Sequence, residues 1–101
     1  MPRQGVGVSS EFQIFETDEF QRKLKSFPAR ESQFIQRKLT EYVYTQLRMN
    51  PFFGPNIKKL KDYRPGTWRY RIGKFRVFFT VAQGERIVSI LSVDARRDAY
   101  R

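Results

Sequence analysis

The stretch Trp68-Arg69-Tyr70-Arg71-Ile72-Gly73-Lys74-Phe75-Arg76-Val77-Phe78-Phe79-Thr80-Val81 decides how the chain folds. Trp68, Tyr70 and Ile72 alternate with Arg69 and Arg71, and Phe75, Val77, Phe79 and Val81 alternate with Arg76, Phe78 and Thr80. A period of two residues sends successive side chains to opposite faces of a strand, so each half of the stretch carries one apolar face. Gly73-Lys74 sits where a two-residue hairpin turn belongs. Such a turn pairs Ile72 with Phe75 and sets Arg71 directly opposite Arg76, with Arg69 further along the same face. Trp68 and Tyr70 are expected in the core.

Downstream, Gln83-Gly84-Glu85 joins the hairpin to a third strand, Ile87 to Val93, which is apolar on both parities. Upstream the period lengthens to that of helices. Thr17 can cap a helix whose first turn holds Asp18 and Glu19, both placed to complement the positive helix end. Phe20, Leu24 and Phe27 give it one apolar stripe, and Pro28 closes it or opens the next. From Pro28 to about Met49, Phe34, Ile35, Leu39, Tyr42, Val43 and Leu47 recur at helical spacing, which predicts a longer second helix. Asn50, Pro51, Gly54, Pro55 and Asn56 end that helix and begin a loop reaching Pro65-Gly66. Phe12 and Ile14, with a break of parity at Phe15, predict a short first strand over residues 11–16. Residues 1–9 carry no core pattern and read as a loose leader to a single domain, 10–101. The order β-α-α-β-β-β makes an α+β fold with a helical hairpin packed on one face of a small, mainly antiparallel sheet. The second face stays uncovered, and it is the face that carries the arginines.

The 101 residues contain neither Cys nor His, which excludes ordinary structural zinc, thiol chemistry and His-based triads together. No metal or cofactor is expected. Twenty Lys and Arg against ten Asp and Glu give a formal charge of +10, and most of the excess lies after residue 55. Such an excess points to a polyanionic partner. A solvated face could accommodate Arg69, Arg71 and Arg76. Phe78 on the same face adds an aromatic ring, and guanidinium groups beside an aromatic suit phosphate clamping with base stacking. Lys58, Lys59 and Lys61 form a second basic cluster in the predicted loop, Lys74 lies in the turn, and Arg96, Arg97, Tyr100 and Arg101 end the chain. Each of these also reads as an ordinary solvated charge run. Phosphate-loop glycine patterns are absent. With no signal-like or membrane-spanning run, a cytoplasmic location away from membranes is expected.

Three stretches, Lys58-Lys59-Leu60-Lys61-Asp62-Tyr63, Gly66 to Phe79, and Ile90-Leu91-Ser92-Val93-Asp94-Ala95-Arg96-Arg97-Asp98-Ala99-Tyr100, resemble the RelE/ParE toxin superfamily of type II toxin–antitoxin modules. The resemblance runs over about residues 11–101, is carried chiefly by W-R-Y-R-I-G-K-F-R-V and R-R-D-A-Y, and fits the RelE-like branch. It implies a ribosome-dependent endoribonuclease, an mRNA interferase that enters the ribosomal A site and cuts messenger RNA by attack of a 2′-hydroxyl on the adjacent phosphate. ParE-type relatives inhibit DNA gyrase on the same fold, and a non-catalytic RNA-binding relative would share its basic surface. Both alternatives stay open at this point.

By position, the catalytic residues that the resemblance implies are Arg69, Arg71, Arg76, Arg96 and Tyr100. Arg76 is the expected phosphate clamp, with Arg69 and Arg71 holding the backbone, Arg96 assisting the leaving 5′-oxygen and Tyr100 stacking on or orienting a base. Lys58, Lys59, Lys61, Lys74, Phe78 and Arg97 are the expected RNA-binding residues. Strand positions that are lysines in the best-known members are arginines here. A guanidinium with a pKa above ~12 is a poor proton acceptor, so this reading assigns no general base. The implied partners are the ribosome with its message and a cognate acidic antitoxin segment, amphipathic and laid across the helices or the basic face.

Overall fold

The computed structural model of the protein describes residues 11–61 and 66–95. The elements are β1 (Gln13–Glu16), α1 (Asp18–Lys25), α2 (Ala29–Lys38), a π-helical turn (Leu39–Val43), α3 (Tyr44–Met49), β2 (Ile57–Lys59), β3 (Thr67–Ile72), β4 (Phe75–Ala82) and β5 (Ile87–Ala95). The five strands form one sheet in the order β1-β5-β4-β3-β2, with β1 parallel to β5 and every other pair antiparallel. The α+β class and the helical hairpin on the sheet are those expected from the sequence.

The central hairpin has the anticipated register: Ile72 pairs with Phe75, Arg71 with Arg76 and Arg69 with Phe78. Gly73 takes the first central turn position at φ 58°, where a type II′ hairpin requires glycine. Tyr70, Ile72, Phe75, Val77 and Phe79 are buried against the helices, and Trp68 packs at the core's margin. At the next turn the left-handed residue is Arg86 (φ 59°), whose carbonyl accepts from the Gln13 N–H and whose guanidinium lies 4.8 Å from the Phe12 ring centroid.

Three features depart from the sequence reading. The loop predicted after the second helix contains β2, so Lys58 and Lys59 belong to an edge strand that pairs with Arg69 and Trp68. Three residues with two lysines give almost no periodic signal, and the pairing with β3 supplies what the local sequence lacks. The second helix is interrupted by the π turn. Its buried residues Ile35, Leu39, Val43 and Leu47 recur every four residues, which in a regular α-helix drifts by about 40° per step. A wider turn keeps them on one face. Tyr42, which the sequence puts on the apolar stripe, is exposed as a result. The first strand is shorter than expected, and Phe15 at its parity break points to the uncovered face with 58% of its surface in solvent.

Polar contacts also tie the helices to the sheet. Thr17 Oγ1 accepts from the Phe20 N–H (3.1 Å), capping α1, and donates to the Ile90 carbonyl of β5 (2.7 Å). Glu16 accepts hydrogen bonds from the Tyr44 hydroxyl of α3 and from Gln21 of α1. Burial and the Glu16 carboxylate push the Tyr44 phenol well above its ordinary pKa. A bond to a charged acceptor contributes about 1.5–3 kcal/mol, so Tyr44→Phe is expected to lower unfolding free energy by that order in urea titration. None of the helices among the described residues is long and apolar enough to cross a membrane.

Candidate functional site

The sheet face turned away from the helices is organised as two rows running across the strands. Asp94, Arg76 and Arg71 lie side by side on β5, β4 and β3. Next to them Ser92, Phe78, Arg69 and Lys58 continue from β5 to β2. Residues directly opposite on antiparallel strands have their Cβ atoms about 4.5–5.5 Å apart, so each row is a line of side chains in mutual reach. Arg69, Arg71 and Arg76, expected together, are together, and Lys58 joins them through the β2 pairing that the sequence did not reveal.

Phe78 differs from expectation. It lies on this face yet is only 7% exposed, and the Arg76 guanidinium carbon stands 5.7 Å from its ring centroid. A ring so covered is a floor for guanidinium groups and not an open platform for bases. The other basic residues separate. Lys59 faces the opposite way, its Nζ 5.8 Å from the Trp68 ring centroid. Lys61 follows β2 and is exposed. Lys74 pairs with Glu31 of α2 at 3.3 Å and so leans toward the helices. Arg96, Arg97 and Tyr100 lie outside the described residues, as does the leader over residues 1–9.

Two groups at the site went unremarked in the sequence. Asp94 Oδ1 accepts from Lys23 Nζ of α1 at 2.8 Å, and both border a cavity of about 420 Å³ lined also by Ser26, Phe27, Arg76 and Ala95. An uninterrupted register from the β4–β5 turn would put Val93 opposite Arg76; the register shift between Phe78 and Phe79 brings Asp94 there instead, and the sequence gives no sign of that shift. Lys23 gave no signal either, because only the docking of α1 on β5 brings it there. Among the described residues no cluster of three or more acidic side chains could hold a metal ion.

Guanidinium groups grouped in this way suit the binding of an anion. They neutralise a phosphate without exchanging protons and bind it through two donors at once. The comparisons with known proteins agree with the fold that carries this surface. A family model described as the ParE toxin of type II toxin–antitoxin systems, parDE, matches residues 15–100. The toxin–antitoxin complex RelBE2 of Mycobacterium tuberculosis contains a similar structure at TM-score 0.67 and 23% identity, over 85% of this chain and 99% of that one. The archaeal RelE–RelB complex of Pyrococcus horikoshii matches at 0.63 and 18%, over 87% and 98%. The YoeB/ParE toxin of Agrobacterium tumefaciens matches at 0.64 and 14%, over 85% and 100%. No curated protein matches the chain. The structural likenesses establish the fold, and the family match across nearly the whole chain establishes descent: this protein belongs to the ParE toxin family, as a type II toxin of the RelE/ParE superfamily.

Proposed function

We propose that the protein is a ribosome-dependent endoribonuclease that cuts messenger RNA by attack of a 2′-hydroxyl on the adjacent phosphate. The observation that carries this reading is the convergence of Arg69, Arg71 and Arg76 on the sheet face that, among the described residues, no helix covers. Phosphoryl transfer needs alignment of the attacking and leaving oxygens and cancellation of charge on the phosphate. Arg76 clamps the phosphate; Arg69, Arg71 and Lys58 hold the backbone on either side. Arg96 and Tyr100, adjoining β5 in sequence, act on the leaving 5′-oxygen and a base. The ribosome orders the message, and the reaction takes place in the cytoplasm.

Purified protein incubated with programmed ribosomes and with naked RNA tests the reading. Cutting is expected on the ribosome, in EDTA at magnesium concentrations that keep ribosomes intact, leaving a 2′,3′-cyclic or 3′-phosphate and a 5′-hydroxyl. Rapid cutting of naked RNA, or ends of the opposite kind, would contradict it. The matching family is that of the ParE toxin, so the alternative reading, a ParE-like DNA gyrase inhibitor, is tested by following DNA supercoiling in parallel. Inhibited supercoiling with intact message selects that alternative.

The toxin is held inactive by an acidic, amphipathic antitoxin segment. The similar Mycobacterium and Pyrococcus chains come from toxin–antitoxin complexes, and the charge of +10 favours an acidic partner.

A further inference from the structure

We infer that Asp94 is the proton acceptor for the attacking 2′-hydroxyl, and that Lys23 allows it to serve beside a phosphate. The inference rests on the endoribonuclease reading above and assigns the general base that reading leaves open. Among the described residues Asp94 is the one carboxylate on the strand positions that share a face with Arg69, Arg71 and Arg76. It lies directly across from Arg76, so a phosphate clamped by that guanidinium brings the ribose on its 5′ side within reach of the carboxylate.

A carboxylate next to a substrate phosphate ordinarily repels it. Here Lys23 Nζ, 2.8 Å from Asp94 Oδ1, offsets that charge from the α1 side while Arg76 faces it from β4. Asp94 is about two-fifths exposed and borders the open cavity between α1 and the two strands, so a sugar hydroxyl can approach it. An ionised carboxylate has about four lone-pair positions, and the contact with Lys23 leaves capacity for another donor.

In the step, the 2′-hydroxyl proton passes to Asp94 as the 2′-oxygen forms its bond to phosphorus. The bond from phosphorus to the 5′-oxygen breaks with both electrons going to that oxygen, which takes a proton from water. The products are a 2′,3′-cyclic phosphate and a 5′-hydroxyl. Asp94 then returns its proton to solvent, and no other reactant is consumed.

The test is single-turnover cleavage on programmed ribosomes across pH, for the parent, Asp94→Asn, Asp94→Glu and Lys23→Gln, with melting temperatures recorded alongside. Asp94→Asn is expected to be about 100-fold slower, near the lower end for loss of a general base, and to lose the acid-side decline of the parent's pH–rate profile. Asp94→Glu restores part of the rate and that decline. Lys23→Gln raises the ribosome concentration needed for half-maximal rate while keeping the profile. An Asp94→Asn variant that cleaves with the parent's rate and profile overturns the inference and leaves the endoribonuclease reading standing. A slow Asp94→Asn variant that keeps the acid-side decline also overturns it. A parent that cuts no message overturns both.

Discussion

Arg76→Ala is expected to cleave ribosome-bound message about 100-fold to 1,000-fold more slowly than the parent, the usual cost of losing one preorganised donor to a developing anion. The position explains the size of the effect. Arg76 sits at the centre of a charged row, with Arg71 on one side and Asp94 on the other. Its guanidinium lies near the Phe78 ring, and its Nε is buried, so the group is held in place before substrate arrives. A preorganised fork of donors acts on a phosphate without first losing side-chain freedom. Arg37→Ala serves as the control. It removes an equal charge from exposed α2, on the other side of the sheet, and is expected to cleave like the parent.

The same three-residue row makes a second, opposite demand on stability. Arg71 faces Arg76, so Arg71→Ala relieves a like-charge contact and is expected to leave the melting temperature unchanged or slightly raised. Arg76→Ala gains no such increase, because it also strips Asp94 of the cation opposite it. Cleavage rate and melting temperature therefore separate the two arginines. A function-only variant pair with different stability signs is what the paired register requires.

That register was legible in the sequence because turn and alternation agree. Gly73-Lys74 fixes the loop length, and a slip by one residue would move Phe75, Val77 and Phe79 out of the core. The helix capped by Thr17 was legible for the same kind of reason, since cap, first-turn acids and apolar stripe coincide. Features that depend on distant pairing were not. Strand β2 forms because β3 offers it an edge, and the parallel pairing of β1 with β5 leaves no mark on either segment. At the site, the arginines could be read from alternation within one hairpin. Lys58, Asp94 and Lys23 needed the neighbours of that hairpin: the strand on each side and the helix beyond. The covered state of Phe78 is a further property of the assembled face, since alternation assigns a side but not an accessibility.

Phe79→Ala is expected to cost about 3–5 kcal/mol of stability, a large share of the roughly 5–15 kcal/mol that holds an ordinary domain folded. Phe79 is fully buried on the helix side of β4, with its ring stacked 6.4 Å from Trp68. Trp68 in turn meets Phe52, whose ring lies 6.1 Å from Phe12, so the loss reaches the segments that hold β1 and the loop after α3. The position has a second consequence. The pairing of β4 with β5 shifts register between Phe78 and Phe79, so Phe79 anchors the point where the outward row of Phe78 and Ser92 is set. Phe79→Leu fills most of the volume and is expected to lose less than half as much stability while retaining cleavage. Urea unfolding of both variants, with cleavage measured on the folded fraction, distinguishes a simple loss of packing from a displaced site. If Phe79→Ala cleaves per folded molecule like the parent, the irregularity between β4 and β5 is a feature of packing alone. If its folded fraction is slow as well, the buried ring holds the arginine face in register from behind.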